Sequence, residues 1–179
     1  MHKNVEKMSL NYSPNFNLKK RSNSSVKYLI FHYTGMKSET KAIKRLTDIN
    51  SKVSCHYLVK RDGEIIQMVP DLYIAWHAGI SFWKNFKKIN NHSIGVEIHN
   101  PGHRYRYDNF NKRQIKSMIW GLIPNWSKNK KSISKLINST WLIIYVSRNS
   151  SSRSVTKELN IYSLSSSINT SYNSFVITI

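Results

Sequence analysis

His32, His77 and Glu97 are of the types that hydrolytic chemistry uses. His32 closes the apolar run VKYLIFH, Glu97 lies near the end of SIGVEI, and His77 sits between them in WHAG. A histidine at one strand end and a carboxylate at a neighbouring one supply what a metal hydrolase needs, a ligand and a base that takes a proton from metal-bound water. Each residue also has a plain structural reading. His32 can be a satisfied histidine beside an apolar run, and Glu97 a solvated, edge-facing side chain. Against the second stands the cost of burying a carboxylate on the inner part of a sheet without a role or partner. His56, inside SCHYLV, reads as packing or hydrogen bonding within the sheet. His99 and His103 flank a loop and read as solvated.

The elements that must position these groups can be placed from pattern. Residues 26–32 are nearly continuously apolar and rich in strand formers, which predicts a strand buried on both faces and hence central. In open α/β sheets, ligands and catalytic groups collect at the carboxyl ends of such strands. KSETKAIKRLTDIN predicts an amphipathic helix over 38–49, with Ser38 as N-cap, Lys41 at N3, and Ala42, Ile43, Leu46 and Ile49 on one face. Strands at 54–59 and 64–69 flank Arg61-Asp62-Gly63, a strong hairpin signal. Residues 70–81 read as a loop. Residues 93–98 are expected to form a fourth strand with Ile94, Val96 and Ile98 on one face and Gly95, Glu97 and His99 on the other. A second helix is expected over 110–120, with Ile115, Met118 and Ile119 on one side. After about Gly121 the texture turns to Ser, Asn, Ile and Lys with no sustained period, although WLIIYV has strand character and VTKELNIY that of a short strand or helical turn.

Composition bounds the rest. A chain of 179 residues fits one domain with a real core. The single cysteine, Cys55, excludes an internal disulfide framework and a Cys-rich zinc knuckle. No stretch approaches ~18 consecutive apolar residues, so no membrane span is expected. The amino-terminal residues are not of secretory-signal type, which makes a cytoplasmic location the expectation. The formal charge of +19 favours polyanions by steering. Lys, Asn and Ile rise together, however, as AT-biased coding produces, and no nucleic-acid-binding motif accompanies the charge; no nucleic-acid partner is expected.

FHYTG, SCHYLVKRDGEIIQMV, AWHAGISFW and NNHSIGVEIHNPGH, in this order and spacing, resemble the zinc-dependent N-acetylmuramoyl-L-alanine amidases. More narrowly the chain is similar to the AmpD-like branch of the amidase type 2 family, which shares its fold with peptidoglycan recognition proteins. The resemblance covers roughly residues 10–120, and the lead-in NYSPNFNLKKR shares it. It implies an α/β fold with a mixed central β-sheet flanked by helices, a zinc ion, and hydrolysis of the amide between N-acetylmuramic acid and L-alanine in peptidoglycan fragments such as anhydro-muropeptides. By motif position His32 matches the first zinc ligand and Glu97 the general base. Trp76 and His77 match the groove wall that meets the muropeptide, and Asn100 the rim beyond the Glu97 strand.

One departure stands beside this match. The family's other two zinc ligands, and a lysine that stabilises the oxyanion, come from a GHSDIAP–RK–DPG stretch after the last long helix. Here the final histidine is His103 and the final aspartate Asp108, and Cys55 lies on the wrong strand to replace them. The expected organisation is an irregular basic lead-in over 1–25, a truncated amidase domain over 26–120, and a degenerate, poorly packed tail over 121–179. Such a tail is what out-of-frame translation gives. The chain is then an impaired or inactive amidase or, alternatively, a metal-independent muropeptide-binding module.

Overall fold

The computed structural model describes residues 7–83, 85–122, 142–144 and 161–162. In chain order the strands are β1 (Met8–Leu10), β2 (Phe16–Asn17), β3 (Tyr28–Tyr33), β4 (Tyr57–Val59), β5 (Ile65–Gln67), β6 (Ile74–Ala75), β7 (Phe82–Trp83), β8 (Phe86–Lys87), β9 (Ser93–Ile98), β10 (Leu142–Ile144) and β11 (Ile161–Tyr162). The helices are α1 (Glu39–Thr47) and α2 (Lys112–Lys116), the latter continuing as a π-helical segment, Ser117–Leu122. The main sheet is mixed, in the order β1-β5-β4-β9-β3-β10-β11. The four strands expected from pattern form its contiguous centre. β3, β9 and β4 run parallel, and β5 returns antiparallel to β4.

β3 is central because its side chains bury both ways. Leu29 and Phe31 join Val59, Ile65, Ile94, Val96, Ile98 and Leu122 in one core, against which Met118 packs. Tyr28 and Ile30 face the other side with Ile89. On that side α1 lays Leu46 over Cys55, Leu58, Ile66 and Met68. Fully burying side chains such as Phe31, Leu58 and Ile65 contributes about 1.5–3 kcal/mol each.

Caps set the helix bounds. The Ser38 hydroxyl accepts from Lys41 N–H at 3.3 Å, the capping expected from sequence. α1 stops at Thr47, because the Asp48 carboxylate accepts from Asn50 N–H and starts a separate 3-10 turn. Ile49, expected on the buried face, is therefore 65% exposed. Asn111 and Gln114 form a capping box, so α2 begins at Lys112, later than the expected start at 110. Its buried side is polar as well as apolar. Gln114 donates to His99 O at 2.8 Å, and Ser117 donates to Gly63 O at 2.6 Å, docking the helix on the hairpin turn. Gly63 takes φ +88°, the left-handed conformation that the Asp62-Gly63 turn requires. The Ile119 side chain lies outside the described residues.

The lead-in, expected to be irregular, supplies β1 parallel to β5 and β2 antiparallel to β6, the latter in a stretch read as loop. It is pinned by Arg21. Its guanidinium donates to the carbonyls of Asp71, Asn90 and Ser93 at 2.7–3.2 Å. Tyr57 donates to the Asp71 carboxylate at 2.6 Å beside it. Burial lowers Arg21 to about 10, partly offset by Asp71. In the tail, the described stretches lie within the two segments given strand character. β10 pairs parallel with β3, and β11 antiparallel with β10. The rest of 123–179, on which the expectation of poor packing falls, lies outside the described residues.

His56 is fully buried beside this clamp. Its Nδ1 accepts from Gly95 N–H at 3.0 Å, so the neutral ring carries its proton on Nε2 and donates to Tyr73 O at 3.1 Å. Arg21 Nη2, 3.0 Å from Nε2, is then a neighbouring cation rather than a donor to it. Burial first, and the Arg21 charge second, push His56 from an ordinary 6.5 down to about 3. The unfolded chain therefore binds the extra proton and the folded one does not. Stability from this group is complete above about pH 6.5 and falls as pH drops toward 3, by up to roughly 1.4 kcal/mol per pH unit. Denaturant titrations across that window should show this slope, and His56→Gln should flatten it. Arg21→Met leaves three part-buried carbonyls without their donor and should cost about 3 kcal/mol in the same measurement.

Candidate active site

The parallel register of β3 on β9 sets Tyr28 beside Ser93, Ile30 beside Gly95 and His32 beside Glu97. Register partners in adjacent strands project from the same face, so His32 and Glu97 stand side by side at the carboxyl ends of two central strands. β4 adds Leu58 on the other flank of Glu97. Ile94, Val96 and Ile98 point the opposite way into the core, as the alternation in SIGVEI predicts. Glu97 is half-buried, and its Oε2 is closed off from solvent. Its charge is felt nearby. Burial first, and Glu97 second, raise the Tyr33 phenol and the Cys55 thiol, the latter well above its ordinary value.

His77 arrives on the segment after β6. His77 N–H and Ala78 N–H both donate to Asn90 Oδ1, at 3.3 and 2.9 Å. Extended backbone sends Trp76 and His77 to opposite sides. Trp76 is half-buried, and its indole N–H donates to Asn17 Oδ1 at 2.8 Å. His77 is buried, with Nδ1 3.0 Å from His32 Nε2 and Nε2 3.0 Å from Ser93 Oγ. The ring lies directly on Gly95, where a Cβ would sit 2.2 Å from His77 Cγ.

Asn100 is buried as well. Its Nδ2 donates to Asp108 O, and its Oδ1 accepts from Gly102 N–H at 2.9 Å, which latches the 100–108 loop. His99, read from sequence as solvated, is buried, because its carbonyl takes the Gln114 bond and its Nδ1 lies 3.3 Å from Thr34 Oγ1. His103 is exposed and stacks on Tyr107, with ring centroids 5.2 Å apart. Sequence reasoning set Gly95 on the Glu97 face without giving it a role, and passed over Ser93. The cue was there, since both alternate with the aliphatic residues of SIGVEI on the face that carries Glu97.

Residues 22–137 match the family model described as N-acetylmuramoyl-L-alanine amidase. The chain belongs to that family. It is 40% identical over 84 residues to the N-acetylmuramoyl-L-alanine amidase AmiD of Escherichia coli (strain K12), a match covering 43% of this chain and 29% of AmiD. It is 37% identical over 81 residues to the 1,6-anhydro-N-acetylmuramyl-L-alanine amidase AmpD of the same organism, covering 44% of each. The chain thus spans less than half the length of these curated relatives. Among solved structures, AmiD from E. coli in complex with the substrate anhydro-N-acetylmuramic acid-L-Ala-D-gamma-Glu-L-Lys superposes with a TM-score of 0.56 at 28% identity, covering 72% of this chain and 51% of that one. An AmpD crystal structure gives 0.52 at 26% identity, covering 68% and 75%. The α/β fold with its mixed sheet is that of these AmpD-like amidases.

The family implies zinc, and a catalytic zinc takes three protein ligands and keeps a fourth position open. Among the described residues no group of three or more His, Cys, Asp or Glu is placed to hold a metal. His32 is the one matched ligand position among them, and its Nε2 is hydrogen-bonded to His77. The described residues therefore do not fit a catalytic zinc, and what the arrangement offers by itself is a carboxylate beside a histidine at the mouth of the sheet. Gly95 is a sensitive position. Gly95→Ala should cost about 1–3 kcal/mol by overpacking against His77, measured by denaturant unfolding. Ser93→Ala, which leaves the Ile89 carbonyl and His77 Nε2 without their buried partner, should likewise cost about 1–3 kcal/mol.

Proposed function

We propose that this chain is an amidase-family protein directed at peptidoglycan fragments, with muropeptides as its ligands, and that as a 179-residue chain it cleaves the N-acetylmuramoyl–L-alanine amide slowly or not at all. The observation that carries the reading is the His32–Glu97 pair, set side by side by β3 and β9 within the span that matches the family. AmiD, to which the chain is similar, has a structure solved in complex with the substrate anhydro-N-acetylmuramic acid-L-Ala-D-gamma-Glu-L-Lys. In this reading Glu97 takes the proton from the attacking water, Trp76 borders the groove, and His77 and Asn100, both buried, support it from behind. The impaired activity follows from donor chemistry. His32 is matched to a family ligand position, whereas the residues after Asp108 contain no histidine, aspartate or cysteine. The site of action in this reading is cytoplasmic. Among the described residues no helix is long and apolar enough to cross a membrane.

Release of stem peptide from anhydro-muropeptide by the purified chain with added zinc should be far below that of a family member with all three ligands. Comparable turnover would overturn the impairment. Reading the coding DNA past codon 120 in the other two frames tests where the tail comes from, and one of them should restore the missing histidine and aspartate.

The alternative, a metal-independent muropeptide binder, is favoured by the engagement of His32 with His77, which needs no metal to hold it. Calorimetry with anhydro-muropeptide in the presence of a chelator should then show micromolar binding, weakened several-fold in Trp76→Ala. No heat of binding would remove this reading.

A further inference from the structure

We infer that His77 is the positioning residue of His32: it is the middle link of a buried, proton-ordered chain that fixes the His32 ring with its proton on Nε2. This deepens the reading above, since it rests on His32 being the working histidine of the cleft.

The order of protons follows from the far end of the chain. The carbonyl of Ile89 can only accept, and Ser93 Oγ lies 2.7 Å from it, so the single hydroxyl proton of Ser93 is committed there. Ser93 Oγ must then accept in its contact with His77 Nε2 at 3.0 Å, which puts the His77 proton on Nε2. A neutral His77 with its proton on Nε2 presents a bare Nδ1, and that atom stands 3.0 Å from His32 Nε2. Two lone pairs cannot face each other at that distance, so His32 Nε2 carries the proton and donates it. The reverse order would need a second proton on His77, a charged ring closed off from water.

His77 is held firmly enough to impose this arrangement. Its ring rests on the Gly95 backbone with no room for even a methyl group between them. Asn90 Oδ1 holds its backbone N–H and the next one. Ser93 and Gly95 both belong to β9, the strand that carries Glu97, so one strand supplies the neighbouring carboxylate, the floor under His77 and the end of the chain. With Nε2 committed to His77, the lone pair of a neutral His32 ring is at Nδ1. A histidine whose other nitrogen is bonded by a fixed neighbour has both its tautomer and its ring plane set in advance.

The experiment is a long-range 1H–15N correlation spectrum of the full chain labelled at histidine, at mildly alkaline pH and with neither metal nor muropeptide present. His32 and His77 should each appear as a single neutral tautomer protonated on Nε2. In His77→Leu, His32 should become a mixture of tautomers, and His77→Gln, whose side-chain oxygen can accept from Nε2–H, should restore the single form. Ser93→Ala frees the far end and should mix the tautomers of both rings, so it decides the matter if His77→Leu does not fold. A His32 protonated on Nδ1 in the unsubstituted chain would overturn the inference, as would a His32 tautomer unchanged by these substitutions. The spectrum is read without ligand, so failure to bind or cleave muropeptide would sink the functional reading and leave this result standing.

Discussion

A missing side chain at Gly95 is the constraint from which the site follows. The residue sits mid-strand in β9, where any Cβ would collide with His77, and its backbone is bonded on the neighbouring side to His56. His56 N–H donates to Gly95 O at 2.8 Å, while His56 Nδ1 accepts from Gly95 N–H. Glycine in a strand interior weakens the strand, and here the loss is offset by letting one imidazole lie on the sheet and another fill its edge. From that close approach come the depth at which His77 can sit, the reach of its Nδ1 to His32, and the flat floor beside Glu97.

Much of this frame was readable from the chain. Continuous apolarity announced β3, alternation announced both faces of β9, Asp62-Gly63 announced the hairpin, and Ser38 announced the start of α1. These signals are local, and each is decided by residues within a few positions of one another. What sequence could not disclose was decided by distant partners. β1 and β2 are strands because β5 and β6 offer them edges, and nothing in MSLNYSPNFNLKKR shows those edges. His99 looked solvated because the Gln114 side chain that covers its carbonyl lies on a helix whose docking is set by the hairpin turn. Ile49 followed the helical period but lost its place to the competing cap of Asp48, a contest between two local preferences that periodicity alone does not weigh.

The site residues divide along the same line. Position at strand ends placed His32 and Glu97 together, because register in a parallel pair follows from the two apolar patterns. Motif position assigned His77 and Asn100 to a groove, yet the side chains of both are buried and engaged with neighbours. Polar groups in such places are held by complete sets of bonds, since a buried donor or acceptor left over costs about 1–3 kcal/mol. The surroundings of His32 are thus built as carefully as the histidine itself, in a chain whose described residues assemble no three-ligand metal site.

The Arg21 clamp carries a consequence for how the molecule assembles. Its partners lie 50 to 72 residues further along the chain, on the carbonyls of Asp71, Asn90 and Ser93. The full set cannot close until the 70–75 segment and the start of β9 have met, and contacts of such long sequence separation are entropically costly to close early. The arginine is thus a latch that shuts on a nearly finished sheet. Interactions absent from the folding transition state act chiefly by slowing escape from the native state. The lead-in serves less to get the chain folded than to keep it so, and its release is the natural first step of unfolding.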